Sequence, residues 1–196
     1  MNAWQNHVAR WESCQLCTLC TKRSHVVLFR GSLPCGCLFI GEAPGEAEDT
    51  FGLPFVGVAG QELDRWIKCA FSGLGNGKPV TWGMTNLIAC IPKNDDGEKV
   101  HEPEVESVEA CTPRLLELVA MAQPKVVVCV GAVSDAWLDP KYRGGIQMKH
   151  ADGSLITRIK VDHPSRVLRT PIAHRNIMAQ RAIVQIKTAV EGALHF

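Results

Sequence analysis

The chain of 196 residues lacks several features, and each absence narrows what it can be. No apolar run approaches the ~18–20 residues of a membrane span, so no spanning helix is expected. No basic-then-apolar pattern opens the chain, and a cytoplasmic location is the expectation. Neither sign of charge is in excess: 21 Lys and Arg face 20 Asp and Glu, a net charge of +1. Any contact with nucleic acid therefore has to come from a local patch rather than a global field. There is no internal repeat and no low-complexity tract. A phosphate-binding loop is missing too, because the glycines before Lys78 have the wrong spacing and Pro79 stands where a Ser or Thr is needed.

What is present is an ordinary soluble composition, 46% hydrophobic and 21% charged, with length for one domain over residues 1–196. β-like runs fall at 38–41, 85–88, 125–131 and 155–161. The third is a continuous β-branched run, as expected for a strand buried on both faces of a parallel sheet. Helical patterns cover 2–13, 61–71, 133–138 and 176–194. A further one runs from 102 to 121, where Pro113 is expected to bend the helix or start a new one. The alternation implies a doubly wound α/β sheet.

Nine cysteines are many for a chain in a reducing compartment, where a disulfide scaffold is not expected. Cys14 and Cys17 form a close pair, Cys20 follows at the same spacing, and Cys90 and Cys111 lie far downstream. Two close thiolates and two distant ones can complete a tetrahedral set, whether for zinc or for a cubane cluster. Spacing alone leans to zinc. Cys35, Cys37, Cys69 and Cys129 read as packing cysteines.

The residues from Gly41 to Gly60 leave the first strand and enter a helix at Gln61. Twenty residues, four of them acidic, far exceed the ~2–6 of an ordinary strand-to-helix connection. Such a loop builds a site, at the strand end where parallel sheets bind ligands.

Four segments in order resemble the iron–sulfur (family 4) uracil-DNA glycosylases. They are Cys14 with Cys17, the Gly41–Gly60 loop, Thr85-Asn86 with Cys90 and the Cys111-x-Pro113-x-Leu115 segment, and His163-Pro164-Ser165 running to Arg169. The resemblance spans residues 11 to 185. It implies a three-layer α/β/α sandwich around a four-stranded parallel sheet, with a [4Fe–4S] cluster on Cys14, Cys17, Cys90 and Cys111. Zinc is the alternative occupant and Cys20 a competing ligand. The interval from Cys90 to Cys111 is longer than the family's, with the excess around 94–100. The implied activity is excision of uracil from DNA by a monofunctional glycosylase; the alternative is a non-catalytic DNA-binding relative associated with replication. A monomer acting on uracil-containing DNA is expected.

Within that resemblance each residue has a chemical part. Phe55 suits a stacking floor, since base–aromatic stacking is worth ~1–3 kcal/mol. Asn86 offers an acceptor and a donor to the N3 and O4 edge of uracil. His163 is placed to donate to O2, a bond that strengthens as negative charge develops. Glu42 suits water positioning or cation stabilisation, and Glu48 the C5 side where a thymine methyl would sit. Glu46 reads as a solvated loop acid. Gly45 allows close approach. Ala43 occupies the place where relatives outside this family put Asp or Asn, and where the family it resembles also has Ala or Gly; its methyl cannot activate water. Ser165, Arg166 and Arg169 suit phosphates, and Val167 or Leu168 a wedge filling the vacated stack. Arg30, Arg143, Lys149, His174 and Arg175 are further cations for that patch.

Overall fold

A computed structural model of the chain describes residues 2–75, 79–94, 96–97, 102–142, 145–150 and 152–194. Lys78, Arg143 and much of the 94–100 stretch lie outside the described residues. The strands are β1 (Arg30–Gly31), β2 (Cys37–Gly41), β3 (Trp82–Asn86), β4 (Val126–Val130) and β5 (Thr157–Val161). The helices are α1 (Ala3–Trp11), α2 (Glu46–Phe51), α3 (Val58–Phe71), α4 (Val105–Ala122), α5 (Ala132–Trp137), α6 (Pro164–Arg169) and α7 (Ile172–Leu194), with a 3₁₀ turn at Thr18–Thr21.

The sheet order is β1-β3-β2-β4-β5. The last four strands are parallel, and β1 joins β3 antiparallel through Arg30 opposite Met84 and Gly31 opposite Gly83. The sheet is thus five-stranded and mixed, where four parallel strands were expected. A two-residue edge strand carries no periodicity for sequence to reveal.

β2 and β4 are buried throughout, and alternate residues feed two cores. Leu38, Ile40, Val127 and Cys129 face a core completed by α1, α4 and α5. Cys37, Phe39, Val126, Val128 and Val130 face one completed by α3, α6 and α7. Helices on both faces of one sheet make the three layers.

Pro113 neither bends nor divides α4, which runs unbroken from Val105 to Ala122. The carbonyl it leaves without an intrahelical donor belongs to Glu109, and both residues are exposed, so water can satisfy it. The C-terminal helix begins four residues earlier than its pattern and buries Ala179, Ala182, Ile186 and Val190. Ile177, expected on its apolar face, is exposed. Cys35, Cys37 and Cys129 are buried as packing residues, but Cys69 is exposed.

Candidate active site

The chain passes from β2 to β3 on one side, then returns across β2 to β4 on the other. This reversal opens a crevice at the carboxyl ends of the strands, the usual ligand site of such sheets. Gly41 and Asn86 are register partners at the ends of β2 and β3. The pairing continues outward through bonds from Leu87 N to Gly41 O (2.9 Å) and Ile88 N to Glu42 O (3.3 Å). One cavity there is lined by Glu42, Ala43, Pro44, Gly45, Glu48, Phe55, Asn86, Glu102, His163, Ser165 and Arg169, among others. The structure thereby brings together every expected catalytic and base-contacting residue.

The long loop is held by its own acids. Glu48 accepts from Gly45 N (3.1 Å) and Gly57 N (2.9 Å), spending both oxygens on the backbone. Its first role is therefore to staple the loop, and it forms cavity wall rather than a free carboxylate at the C5 side. Asp49, missed as a site residue, is buried and accepts from Ser24 N (2.9 Å) and His25 N (3.2 Å). It ties the loop to the segment before β1. Glu46 pairs with Lys93 at 3.2 Å.

Phe55 has φ +57°, a left-handed conformation unusual for a non-glycine residue. Its carbonyl accepts from Arg30 Nη2 at 3.0 Å, and Arg30 also forks onto Asp64 at 2.9 and 3.1 Å. A Cβ on Gly60 would run into the Phe55 backbone, and one on Gly41 into both Asn86 Oδ1 and the Phe55 ring. Two glycines thus let the aromatic ring lie beneath the strand end that carries Asn86. Phe55 is 6% exposed and Asn86 3%, so each offers only an edge to the cavity.

His163 is the N-cap of α6, two residues beyond β5. Ser165 N–H donates to its Nδ1 at 3.2 Å, and the Ser165 hydroxyl lies 2.8 Å from the same nitrogen. An Nδ1 that accepts from the backbone leaves the proton on Nε2, making that atom the ring's donor. Burial pushes the imidazole pKa down, with Arg169 adding to the effect and Glu48 opposing it, which favours the neutral ring. Burial pushes the Glu42 carboxyl up, aided by the nearby Glu102. Glu102 had no motif to mark it.

The nucleic-acid residues sort differently from the expectation. Val167 is fully buried and cannot be a wedge; Leu168 is partly exposed. The Ser165 hydroxyl faces the imidazole, not solvent alone. Arg169 is exposed at the cavity rim, while exposed Arg166 pairs with Asp162 at 3.2 Å. Arg30 is scaffolding, and Arg175 donates to Leu168 O and Thr170 O, fixing the turn between α6 and α7. Lys149 lies with Gln123, Lys125 and Leu155 beside the starts of β4 and β5, at the opposite end of the sheet. His174 is exposed.

Behind β3, Cys14, Cys17, Cys90 and Cys111 line a second cavity with Trp11, Val26, Arg23 and Arg114. Cys20 opens instead onto a groove with Trp4, Val8 and His25. The four thiols surround a space and do not converge: among the described residues no three His, Cys, Asp or Glu side chains are grouped to hold a metal ion. Arg23 donates to Cys90 Sγ (3.5 Å) and Cys14 O (2.6 Å). Arg114 Nε is buried without a hydrogen-bond partner among the described residues.

The sequence profile of the Uracil DNA glycosylase superfamily matches residues 30–186. The chain is similar to the Type-4 uracil-DNA glycosylase of Pyrobaculum aerophilum, at 32% identity over 82% of each chain. It is similar to that of Saccharolobus solfataricus, at 33% identity over 81% of this chain and 74% of the relative. A third, from Thermotoga maritima, is 34% identical over 64% of this chain and 60% of the relative. With the crevice, the loop and the four cysteines in the same chain, this protein belongs to the type-4 uracil-DNA glycosylase family.

Proposed function

We propose that this chain is a monofunctional glycosylase that takes uracil out of the DNA stack and hydrolyses its N-glycosidic bond, leaving an abasic site. The observation that carries the reading is the single cavity uniting Glu42, Phe55, Asn86 and His163 at the strand ends. The names of the relatives support it.

Each group has one task. Phe55 stacks under the base, and Asn86 pairs with N3 and O4, where cytosine would leave buried groups unpaired. His163 Nε2–H donates to O2 and stabilises the departing uracil anion. Glu42 sits at the sugar, where it stabilises positive charge or positions water; Ala43 adds no polar group. The cavity walls at Gly45 and Glu48 set its shape. Arg169 and Arg166 grip phosphate, and Leu168 fills the gap in the stack.

Cys14, Cys17, Cys90 and Cys111 are the proposed ligands of a [4Fe–4S] cluster. The fit rests on their shared cavity and on two guanidiniums in its wall, Arg23 and Arg114, neither paired with a carboxylate among the described residues. An anionic thiolate-bound group suits that wall. When bound, the cluster supplies a structural anchor of soft sulfur ligation. The whole chain is proposed to act as one domain and as a cytoplasmic monomer. No described helix is long and apolar enough to cross a membrane.

The test is release of free uracil from a uracil-containing oligonucleotide by brown, cluster-loaded protein with no added metal or nucleotide. His163→Ala should slow release about 10²–10³-fold, the loss typical of one preorganised donor. No release from either single- or double-stranded substrate sinks the reading.

A further inference from the structure

Arg114 lies three residues after Cys111 on α4, on the same face of the helix. It is 1% exposed, one of the largest fully buried side chains of the molecule. Its Nη1 donates to Thr85 Oγ1 at 3.0 Å, and its Nη2 donates to Asn86 O at 2.6 Å and Leu87 O at 2.8 Å. Thr85 Oγ1 in turn donates to Leu28 O at 2.8 Å. The guanidinium therefore clasps the last turn of backbone of β3, where Asn86 is presented to the active-site cavity.

What sets it apart is the burial of its charge: Arg23 and Arg175 also bond to uncharged acceptors, but only Arg114 of the three is fully buried. Arg30, Arg65, Arg158 and Arg166 each meet a carboxylate. Among the described residues Arg114 donates to neutral oxygens alone, and its Nε has no acceptor. A buried cation without a counter-charge is costly, more than carbonyl dipoles alone readily offset. The same side chain lines the cavity of Cys14, Cys17, Cys90 and Cys111. Thiolates gathered there would bring negative charge to the cavity wall that Arg114 forms.

We propose that Arg114 is a positioning residue that couples the cysteine cage to base recognition, held by the charge of the cage on one side and holding the Asn86 end of β3 on the other. The proposal rests on the reading of that cavity as a cluster site and of Asn86 as the uracil reader. It makes cluster occupancy and uracil affinity interdependent, and such coupling is reciprocal.

The experiment compares cluster-loaded wild type, Arg114→Lys and Arg114→Met by uracil binding and by iron loss to a chelator, with and without saturating free uracil. Wild type should hold its iron longer when uracil is bound. Arg114→Met should bind uracil about tenfold more weakly, the scale of one charge-assisted contact, lose iron faster, and gain no protection from uracil. Arg114→Lys keeps the charge but cannot span three oxygens, so its iron loss should stay near wild type while uracil binding remains weakened. A Met variant that never takes up the cluster, beside a Lys variant that does, also supports the proposal. Wild-type uracil affinity in the Met variant, equal uracil protection in wild type and Met, or failure of both variants to load the cluster overturns it. Wild-type uracil release, measured separately, reports on the glycosylase reading alone.

Discussion

At the carboxyl end of the sheet Glu42, Asn86 and His163 face a polar cavity, whereas behind the same strand four cysteines face an apolar one. The first is assembled by backbone: Glu48 staples its loop, glycines let Phe55 approach, and Ser165 sets the imidazole tautomer. The second is assembled by side chains from α4, the residues after β3 and the N-terminal segment. In the first, burial pushes the His163 imidazole pKa down and the Glu42 carboxyl pKa up, while the groups of the second suit concentrated negative charge beside two arginines. β3 and the residues after it serve both, with Asn86 toward one cavity and Cys90 toward the other.

The largest way to break the comparison is Cys111→Ser. It should abolish the brown colour and lower the melting temperature. Uracil release should fall with it, because the cage and the reading strand share α4 as a support. Release by a colourless, equally stable variant would show the two cavities to be independent. Asn86→Ala cuts the other way: colour and melting temperature should hold while uracil binding falls about tenfold or more, the loss expected when a polar reader is removed. Gly60→Ala tests the backbone scaffold. Its Cβ meets the Phe55 backbone, so a destabilisation of about 1–3 kcal/mol is expected in chemical denaturation.

The smallest effect concerns pH. The Glu42 carboxyl lies above its ordinary value through burial and Glu102, so the proton is held to higher pH and the ionised form is lost early on acidification. The acid limb of the uracil-release profile should therefore lie above the ordinary carboxylate range. Glu102→Gln removes the like charge and should move that limb to lower pH; an unmoved limb would separate Glu102 from the site.

Much of this was legible along the chain. The β-branched run of β4, the oversized loop after β2, and the spacings of Cys14 with Cys17 are local signals, and local signals survive in sequence. Glu102 and Arg114 had none, since each becomes important through neighbours distant in the chain. Pro113 misled because its rule concerns a lost hydrogen bond, and here the orphaned carbonyl faces solvent. Val167 and Leu168 are adjacent aliphatics that sequence treats alike, yet the packing of α6 buries one and leaves the other at the surface.

By itself the sequence determined the α/β alternation, the site-building loop with its Ala43, and the order of the motifs, because periodicity and short-range spacing are properties of the chain. Only the tertiary structure decided that Glu48 staples its loop, that Arg30 is scaffold and Lys149 lies at the far end, and that Arg114 sits between cage and base reader. Those outcomes turn on which long polar side chains are desolvated and by what. Desolvation is a property of the packed molecule, not of the spacing of its residues.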